Sequence, residues 1–306
     1  MSGELNSNKD GDLTLNAEFS LLSQTIWSGI TLGSIYALIA LGFTLIFNVS
    51  RIINIAQGEF LMIGAMTYYS LATLFELPVY LAIPISLVVT GLVGWLMVKS
   101  SINFIKDSSP VVAIIVTIAF GEILKGLSMF AWGKNTVGIP AISNAESVEI
   151  MSAFVQPQTF VIIIVTLVVC IAFSLLMSKT NIGKAMLGAS GDSYAAQLMG
   201  INIKFLVAIS FAISALIGGL AGILVGPLTM MGYSYGTLLG IKGFIAALLG
   251  GMGSYTGAIL GGLVLGLLEA FGSGYISSLL KDAFAFAILL IVLFIKPSGL
   301  VKSKTD

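Results

Sequence analysis

A short polar segment between two long apolar runs carries the side chains that could do chemistry in this chain. It brings together two amides, a glycine and a carboxylate: Asn54, Gln57, Gly58 and Glu59. Where a helix breaks inside a membrane, the freed backbone groups need partners in protein or in a water-lined cavity, and amide side chains supply them. Two interpretations are open. The segment is a polar turn in which Glu59 stabilises the start of the next helix, or it belongs to a translocation path or a partner contact.

A glycine-rich segment later in the chain carries a lysine among apolar residues. Lys242 follows Gly236 and Gly240, and further glycines end the apolar run: Gly250, Gly251 and Gly253. A lysine is costly in lipid unless it reaches the interface or lines a polar cavity. Transporters hold substrates at helix breaks near the bilayer midplane. Lys242 therefore favours a place in the translocation path. For the three later glycines, a path and a tight turn between two helices are equally open.

Three further charges lie within apolar runs. Glu122 and Lys125 are three residues apart, which predicts an ion pair on one helix face. Glu269 stands alone late in a glycine-rich run. An intramembrane carboxylate is a functional hypothesis by default, here a proton site, unless it reaches water at the helix end.

The sequence lacks the residues that several classes of enzyme need. It contains no histidine, and no nucleophile–base pair or metal cluster is readable. The lysines that follow glycine, Lys134 and Lys184, lack the upstream glycine and the downstream Ser or Thr of a P-loop. We therefore expect no enzyme activity, no cofactor and no metal. The formal net charge of +0 implies no nucleic-acid partner.

Composition sets the class of protein. The chain has 306 residues, of which 57% are hydrophobic and 9% charged, whereas soluble domains carry about 25% charged residues. We therefore predict an all-α polytopic transmembrane helical bundle. Because roughly 20 apolar residues cross a bilayer, about eight clear spans are expected: residues 21–48, 60–75, 79–98, 110–132, 159–177, 205–225, 254–271 and 283–295.

These spans divide the chain into three parts. Residues 1–20 form a polar N-terminal tail, disordered or on the surface, residues 21–300 form the transmembrane domain, and residues 301–306 form a C-terminal tail. Residues 133–158 are predicted to be an external loop with a short surface helix.

The basic residues predict the orientation, because they collect on the cytoplasmic side. If Lys179 and Lys184 face the cytoplasm, the C-terminal lysines do so only when residues 226–253 cross the membrane as well. A re-entrant segment would leave three lysines outside: Lys296, Lys302 and Lys304. The charge count therefore favours a crossing.

Glycines recur four residues apart in several apolar runs. Examples are Gly29/Gly33, Gly236/Gly240, Gly257/Gly261 and Gly262/Gly266. Small residues at this spacing let helix backbones approach closely in lipid. The spacing therefore predicts close helix packing.

The stretch 179–201 is too polar to enter lipid. It contains Lys184 and Asp192, together with apolar residues at close spacing and several glycines. A stretch that is polar on one side and apolar on the other, with glycine breaks, is typical of a short docking helix.

Several motifs together resemble the permease subunits of branched-chain amino acid ABC transporters. Residues 29–47 (GITLGSIYALIALGFTLIF) are followed by residues 51–60 (RIINIAQGEF), and residues 249–254 (LGGMGS) precede residues 296–300 (KPSGL). Between them lie Asp192, Ala195, Ala196 and Gly200 in family order. The similarity covers roughly residues 21–300 and is greater to the shorter of the two permeases of such systems.

The resemblance implies a subunit of an ATP-driven importer in the bacterial inner membrane. It implies four kinds of partner: a second permease that makes a heterodimer, two cytoplasmic ATPase subunits, an extracytoplasmic solute-binding protein and the lipid bilayer. The binding protein would deliver leucine, isoleucine or valine.

The resemblance also implies a role for residues 184–201 in docking the ATPase. Ala195, Ala196 and Gly200 are similar to the coupling motif that contacts it. Tyr194 stands where many ABC permeases have Glu, the usual downstream Pro is missing, and Gln57 stands where the family usually has His.

Other functions are open from the sequence alone. A urea or short-amide ABC permease is related in type. An ion-coupled secondary amino acid transporter would use Glu59, Glu122 or Glu269 as its ion site, and a membrane scaffold would transport nothing.

Overall fold

The protein is a bundle of long helices with two small sheets on one face. The computed structural model describes residues 2–102, 109–143, 146–296 and 299–301. Within these ranges lie eleven α-helices: α1 Ser2–Ser50, α2 Gln57–Tyr69, α3 Val79–Ser100, α4 Pro110–Trp132, α5 Pro157–Lys179, α6 Asn181–Gly191, α7 Ser193–Leu198, α8 Ile203–Val225, α9 Tyr235–Gly250, α10 Tyr255–Tyr275 and α11 Lys281–Ile295. A π-helix, Ser70–Leu74, continues α2, and two short 3-10 helices follow α8 and α10.

The prediction of an all-α polytopic protein is confirmed, whereas the count of about eight spans is not. In the described ranges six helices are long and apolar enough to cross a bilayer: Glu18–Ser50, Val79–Ser100, Val111–Trp132, Pro157–Lys179, Ile203–Leu228 and Tyr255–Tyr275. The predicted spans at 60–75 and 283–295 correspond to α2 and α11, which are shorter. The backbone of the N-terminal stretch is helical from Ser2 and is continuous with the apolar part of α1.

One face of the bundle carries the strands, and we name it the strand face. Strand β1 (Val137–Gly138) pairs with β4 (Met230–Met231), and β2 (Val148–Ile150) pairs with β3 (Ala153–Val155). The predicted surface helix in the loop 133–158 is wrong, since its described residues form strands and irregular structure until α5 begins at Pro157. The Ser20 hydroxyl donates to the Ser152 carbonyl, which places the start of the apolar part of α1 on this face as well.

The opposite face carries α6 and α7, and we name it the α6–α7 face. At the end of α1, the Arg51 guanidinium donates to the Ser190 carbonyl of α6, and the Asn48 amide donates to the Gly253 carbonyl. The backbone amides of Leu300 and Val301 donate to carbonyls at the end of α9, at 2.8 and 3.0 Å. The chain after α11 therefore lies on this face.

Glycines set the spacing of the central helices, as predicted. A Cβ at Gly266 of α10 would lie 2.2 Å from the backbone of Gly33 in α1, and one at Gly262 would lie 2.3 Å from Ala37. A Cβ at Gly64 of α2 would lie 2.3 Å from Gly219 of α8. The backbones touch at these positions, so a methyl group there would force the helices apart.

Candidate functional site

The break between α1 and α2 runs from the α6–α7 face into the buried interior of the bundle. Helix α1 ends where Arg51 takes φ +57°, a left-handed value that is uncommon for a non-glycine residue. Residues 51–54 are not helical, and side chains accept hydrogen bonds from the two backbone amides that follow. The amide of Ile55 donates to Thr117 Oγ1 of α4, and the amide of Ala56 donates to Asn54 Oδ1, both at 3.2 Å.

Gln57 joins the start of α2 to the middle of α8. Its Oε1 accepts a hydrogen bond from Ser214 Oγ at 2.8 Å, and its Nε2 donates to the Ser214 carbonyl at 3.1 Å. Gln57 is fully buried. Because a Cβ at Gly42 would lie 2.4 Å from Nε2, α1 leaves no spare room beside this amide. Gln57 therefore fixes α2 against α8 through an amide whose oxygen and nitrogen both make hydrogen bonds.

Gly58 and Glu59 join α2 to the start of α9. A Cβ at Gly58 would lie 2.1 Å from the Gly236 carbonyl oxygen, and Gly240 is in contact as well. The Glu59 carboxylate accepts a hydrogen bond from Thr237 Oγ1 at 2.7 Å and is buried. Although Glu59 lies in the first turn of α2, its described hydrogen bond crosses to another helix.

Two polar atoms at the break keep hydrogen-bonding capacity. Among the described residues, neither Glu59 Oε2 nor Asn54 Nδ2 has a partner, and both side chains are buried. An unpaired buried polar atom costs about 1–3 kcal/mol. One acceptor and one donor are therefore available here to a water molecule or to a polar ligand.

Lys242 lies in a different polar cluster from Glu59. Its ammonium lies 2.8 Å from Glu269 Oε1 of α10 and 2.7 Å from Asp282 Oδ1 of α11. The Tyr36 hydroxyl of α1 donates to the Glu269 carboxylate at 3.0–3.1 Å. The expectation that Glu269 stands alone is wrong, because α9 turns a lysine towards it. Lys242 meets a salt-bridge partner rather than an open polar cavity.

Gly250, Gly251 and Gly253 form the turn between α9 and α10. Gly251 and Gly253 have φ of +102° and +99°, values that glycine adopts without a steric cost. A Cβ at Gly250 would lie 2.0 Å from the Gly257 carbonyl oxygen. This turn is at the α6–α7 face and contacts the chain end at Gly299. Its geometry is that of a tight helix–helix connection.

The polar stretch before α8 is helical, as its pattern indicated. Thr180 caps α6, and Asp192 caps α7 by accepting from the amides of Tyr194 and Ala195 at 2.9 and 3.0 Å. Gly200 ends the segment with φ +82°. Lys184, Asp192 and Ala195 are exposed, whereas Ala196 is buried.

Helix α7 presents apolar side chains away from the bundle. Tyr194, Leu198 and Met199 are 71%, 73% and 84% exposed. The segment is nonetheless tied to the bundle, because a Cβ at Gly183 would lie 2.1 Å from the Leu176 carbonyl oxygen of α5. The structure thus offers an anchored helix pair with an apolar outer surface.

The amino-acid sequence over most of this architecture matches one protein family. Residues 25–293 match the family described as branched-chain amino acid transport system / permease component. The chain belongs to this permease family.

Two curated relatives match the permease along nearly their whole length. It is 32% identical to the high-affinity branched-chain amino acid transport system permease protein LivH of Escherichia coli, over 94% of this chain and 97% of the relative. It is 31% identical to the corresponding permease protein BraD of Pseudomonas aeruginosa, over 91% and 95% of the two chains. Among solved structures, PsaBC from Streptococcus pneumoniae in complex with a Fab is similar in fold, with a TM-score of 0.50, 16% identity and coverage of 92% and 94%.

The amino-acid sequence of the permease did not predict which residues pair with its buried polar side chains. The Ser214 hydroxyl donates to Gln57, and the Thr237 hydroxyl donates to Glu59. Tyr36 and Asp282 complete the cluster around Lys242 and Glu269. Ser and Thr hydroxyls inside apolar helices usually bond to their own backbone, so no local signal marks Ser214 and Thr237. The predicted pair of Lys125 and Glu122 is confirmed. In the described part of the permease, no cluster of residues could hold a metal ion.

Proposed function

We propose that this chain is a permease subunit of an ATP-driven importer for branched-chain aliphatic amino acids. The observation that carries the proposal is the match to LivH over nearly the full length of both chains. We further propose its partners: a second, different permease, two cytoplasmic ATPase subunits and an extracytoplasmic binding protein. Because its relatives include permeases of Gram-negative bacteria, we place it in the inner membrane.

The two faces of the bundle support an orientation. We assign the α6–α7 face to the cytoplasm, because Lys179, Lys184, Lys204 and Lys296 lie on or next to it. Helix α9 follows β4 on the strand face and ends beside the α6–α7 face, which supports a proposed crossing by residues 226–253. The proposed crossings are α1, α2 with its π-helix, α3, α4, α5, α8, α9, α10 and α11.

The proposed translocation path runs past the break before α2. Asn54 and Glu59 have buried polar atoms without described partners, and these atoms would supply hydrogen bonds to a polar solute in the path. Gln57 and Gly58 hold these residues against α8 and α9. An ion pair joins Lys242 of α9 to Glu269 of α10, and the turn between these helices contains Gly250, Gly251 and Gly253. We therefore propose that these four residues hold α9, α10 and α11 around the path.

The proposed ATPase-docking element is residues 184–201. The exposed residues of α7 offer an apolar contact surface, and Lys184 and Asp192 add charge at its side. The small exposed Ala195 allows close approach of a partner, Ala196 packs against the bundle, and Gly200 ends the segment. In the proposed cycle, closure of the ATPases moves this element, and the break before α2 opens alternately to the two sides.

Uptake measurements test the proposal. Labelled leucine uptake is compared in cells with and without this chain, after ATP depletion or after collapse of the ion gradients. We expect uptake to depend on the chain and on ATP. Uptake that survives ATP depletion and collapses with an ion gradient would contradict it in favour of a secondary transporter. Copurification of an ATPase and a second permease tests the assembly.

A further inference from the structure

A cavity on the α6–α7 face combines cationic, anionic and aliphatic groups that the proposed path does not use. Its volume is about 550 Å³, and it lies where the chain leaving α1 meets the end of α6 and the start of α8. Small-molecule sites have volumes of about 300–1,000 Å³. Its lining includes Arg51, Asp192, Lys204, Ile52, Ile203 and Val207.

Arg51 is held in place before any ligand binds. Its backbone amide donates to the Phe47 carbonyl at 2.8 Å, and its guanidinium lies 5.7 Å from the centre of the Phe47 ring. The guanidinium also donates to the Ser190 carbonyl. Since a guanidinium has five N–H donors, the other donors stay available. A fixed planar cation of this kind matches a carboxylate.

The cavity also contains an acceptor for a cation and a second positive charge. The two described hydrogen bonds of the Asp192 carboxylate both use Oδ1, so Oδ2 is available to an ammonium group. Lys204 has no ion pair with any described residue. The three apolar side chains of Ile52, Ile203 and Val207 supply an aliphatic wall.

We propose that this cavity binds an α-amino acid with an aliphatic side chain, in its zwitterionic form. Its carboxylate binds Arg51 and Lys204, its ammonium group binds Asp192, and its side chain packs against the aliphatic wall. The inference rests on the proposed function, because that function places the cavity on the side where the imported amino acid accumulates.

Through binding in this cavity, the imported amino acid inhibits its own further uptake. The ligand joins the end of α1, through Arg51, to the docking element, through Asp192. A ligand that prefers one arrangement of these two segments shifts the population towards it. Since the proposed cycle moves the docking element, accumulated product slows further uptake.

A binding experiment tests the ligand class. The permease complex with its ATPase, purified in detergent without the binding protein, is titrated calorimetrically with leucine, 4-methylpentanoate and leucinamide. We expect leucine to bind, and the two analogues, which lack the ammonium group or the carboxylate, to bind at least about tenfold more weakly, a difference of about 1.4 kcal/mol. Equal binding of 4-methylpentanoate would mean a general anion site and would overturn the proposal, as would no binding of leucine.

Substitutions in the same complex locate the site. Lys204→Gln and Ile203→Asn are expected to weaken leucine binding at least about tenfold, because they remove one charge and part of the aliphatic wall. Lys179→Gln is the matched control, since Lys179 is an exposed lysine at the end of α5 that does not line the cavity. Unchanged leucine affinity in both cavity variants would place the ligand elsewhere and overturn the assignment.

A transport experiment separates this inference from the proposed function. Proteoliposomes with ATP in the lumen take up labelled leucine from the binding protein, with the lumen otherwise empty or preloaded with unlabelled leucine. No ATP-dependent uptake into empty vesicles contradicts the proposed function. If uptake proceeds, preloading is expected to lower its initial rate several-fold in the unaltered complex and much less in Lys204→Gln. An initial rate that preloading leaves unchanged overturns this inference alone.

Discussion

The ammonium of Lys242 lies 2.8 Å from a carboxylate oxygen of Glu269, and both side chains are shielded from solvent. The pair joins α9 to α10, and two more groups extend it to α1 and α11. Tyr36 donates to the carboxylate, and Asp282 lies 2.7 Å from the ammonium. Charges inside a membrane protein are costly unless they are paired. This cluster therefore couples the packing of the four helices α1, α9, α10 and α11.

Removal of the buried carboxylate is expected to destabilise the permease. Glu269→Ala leaves Lys242 without its buried partner, which costs about 3 kcal/mol. Asp282→Asn should cost less than about 1 kcal/mol, because Asp282 is 54% exposed and solvent screens its charge. The apparent melting temperature of the purified complex in detergent checks this order. Equal losses in the two variants would contradict a dominant role for the buried pair.

Gly58→Ala is expected to separate α2 from α9. The new methyl group would lie 2.1 Å from the Gly236 carbonyl oxygen, which is fixed backbone. Overpacking of this kind costs about 1–3 kcal/mol. Gly126→Ala is the control, since nothing lies within 4 Å of a Cβ there and the substitution in α4 should be neutral or stabilising. Thermal melting of the two variants measures the difference.

Glu59→Gln tests the proposed path without emptying the site. The amide has nearly the same shape and can keep the Thr237 contact, but it loses the negative charge. We expect the uptake rate to fall at least about tenfold, equivalent to 1.4 kcal/mol, with normal assembly of the complex. Glu122→Gln is the control, because that carboxylate is 64% exposed and pairs only with Lys125 in the described structure. Uptake at the unaltered rate in Glu59→Gln would remove Glu59 from the path.

Leu198→Asp tests the proposed docking surface. Leu198 is 73% exposed on α7, so the substitution should not disturb the bundle. A charge placed in an apolar contact is expected to weaken association with the ATPase by at least about tenfold, which copurification and ATPase stimulation measure. Leu279→Asp is the control, since Leu279 is 92% exposed after α10, away from the α6–α7 face. Copurification of equal amounts of ATPase with both variants would contradict the docking assignment.

Local pattern was sufficient for several features of this protein. The low charge content and the long apolar runs indicated a membrane bundle, because each residue contributes to the transfer free energy independently of its neighbours in space. Glycine spacing indicated close helix packing, and the polar stretch before α8 indicated a helix outside the lipid. The spacing of Glu122 and Lys125 predicted their ion pair, since the two residues share one helix face.

Contacts between distant parts of the chain were decided only by the tertiary structure. No local sequence pattern predicts that Gln57 contacts Ser214 or that Glu269 contacts Lys242. Such pairs depend on how each helix is rotated about its axis and how deep it lies in the bundle. The same holds for the lengths of α2 and α11. The amino-acid sequence by itself therefore determined that this protein folds in a lipid bilayer, and it determined the family to which the protein belongs. Which polar groups are paired, and which stay available for a ligand, was decided by helix packing, because burial and partner geometry exist only in the folded bundle.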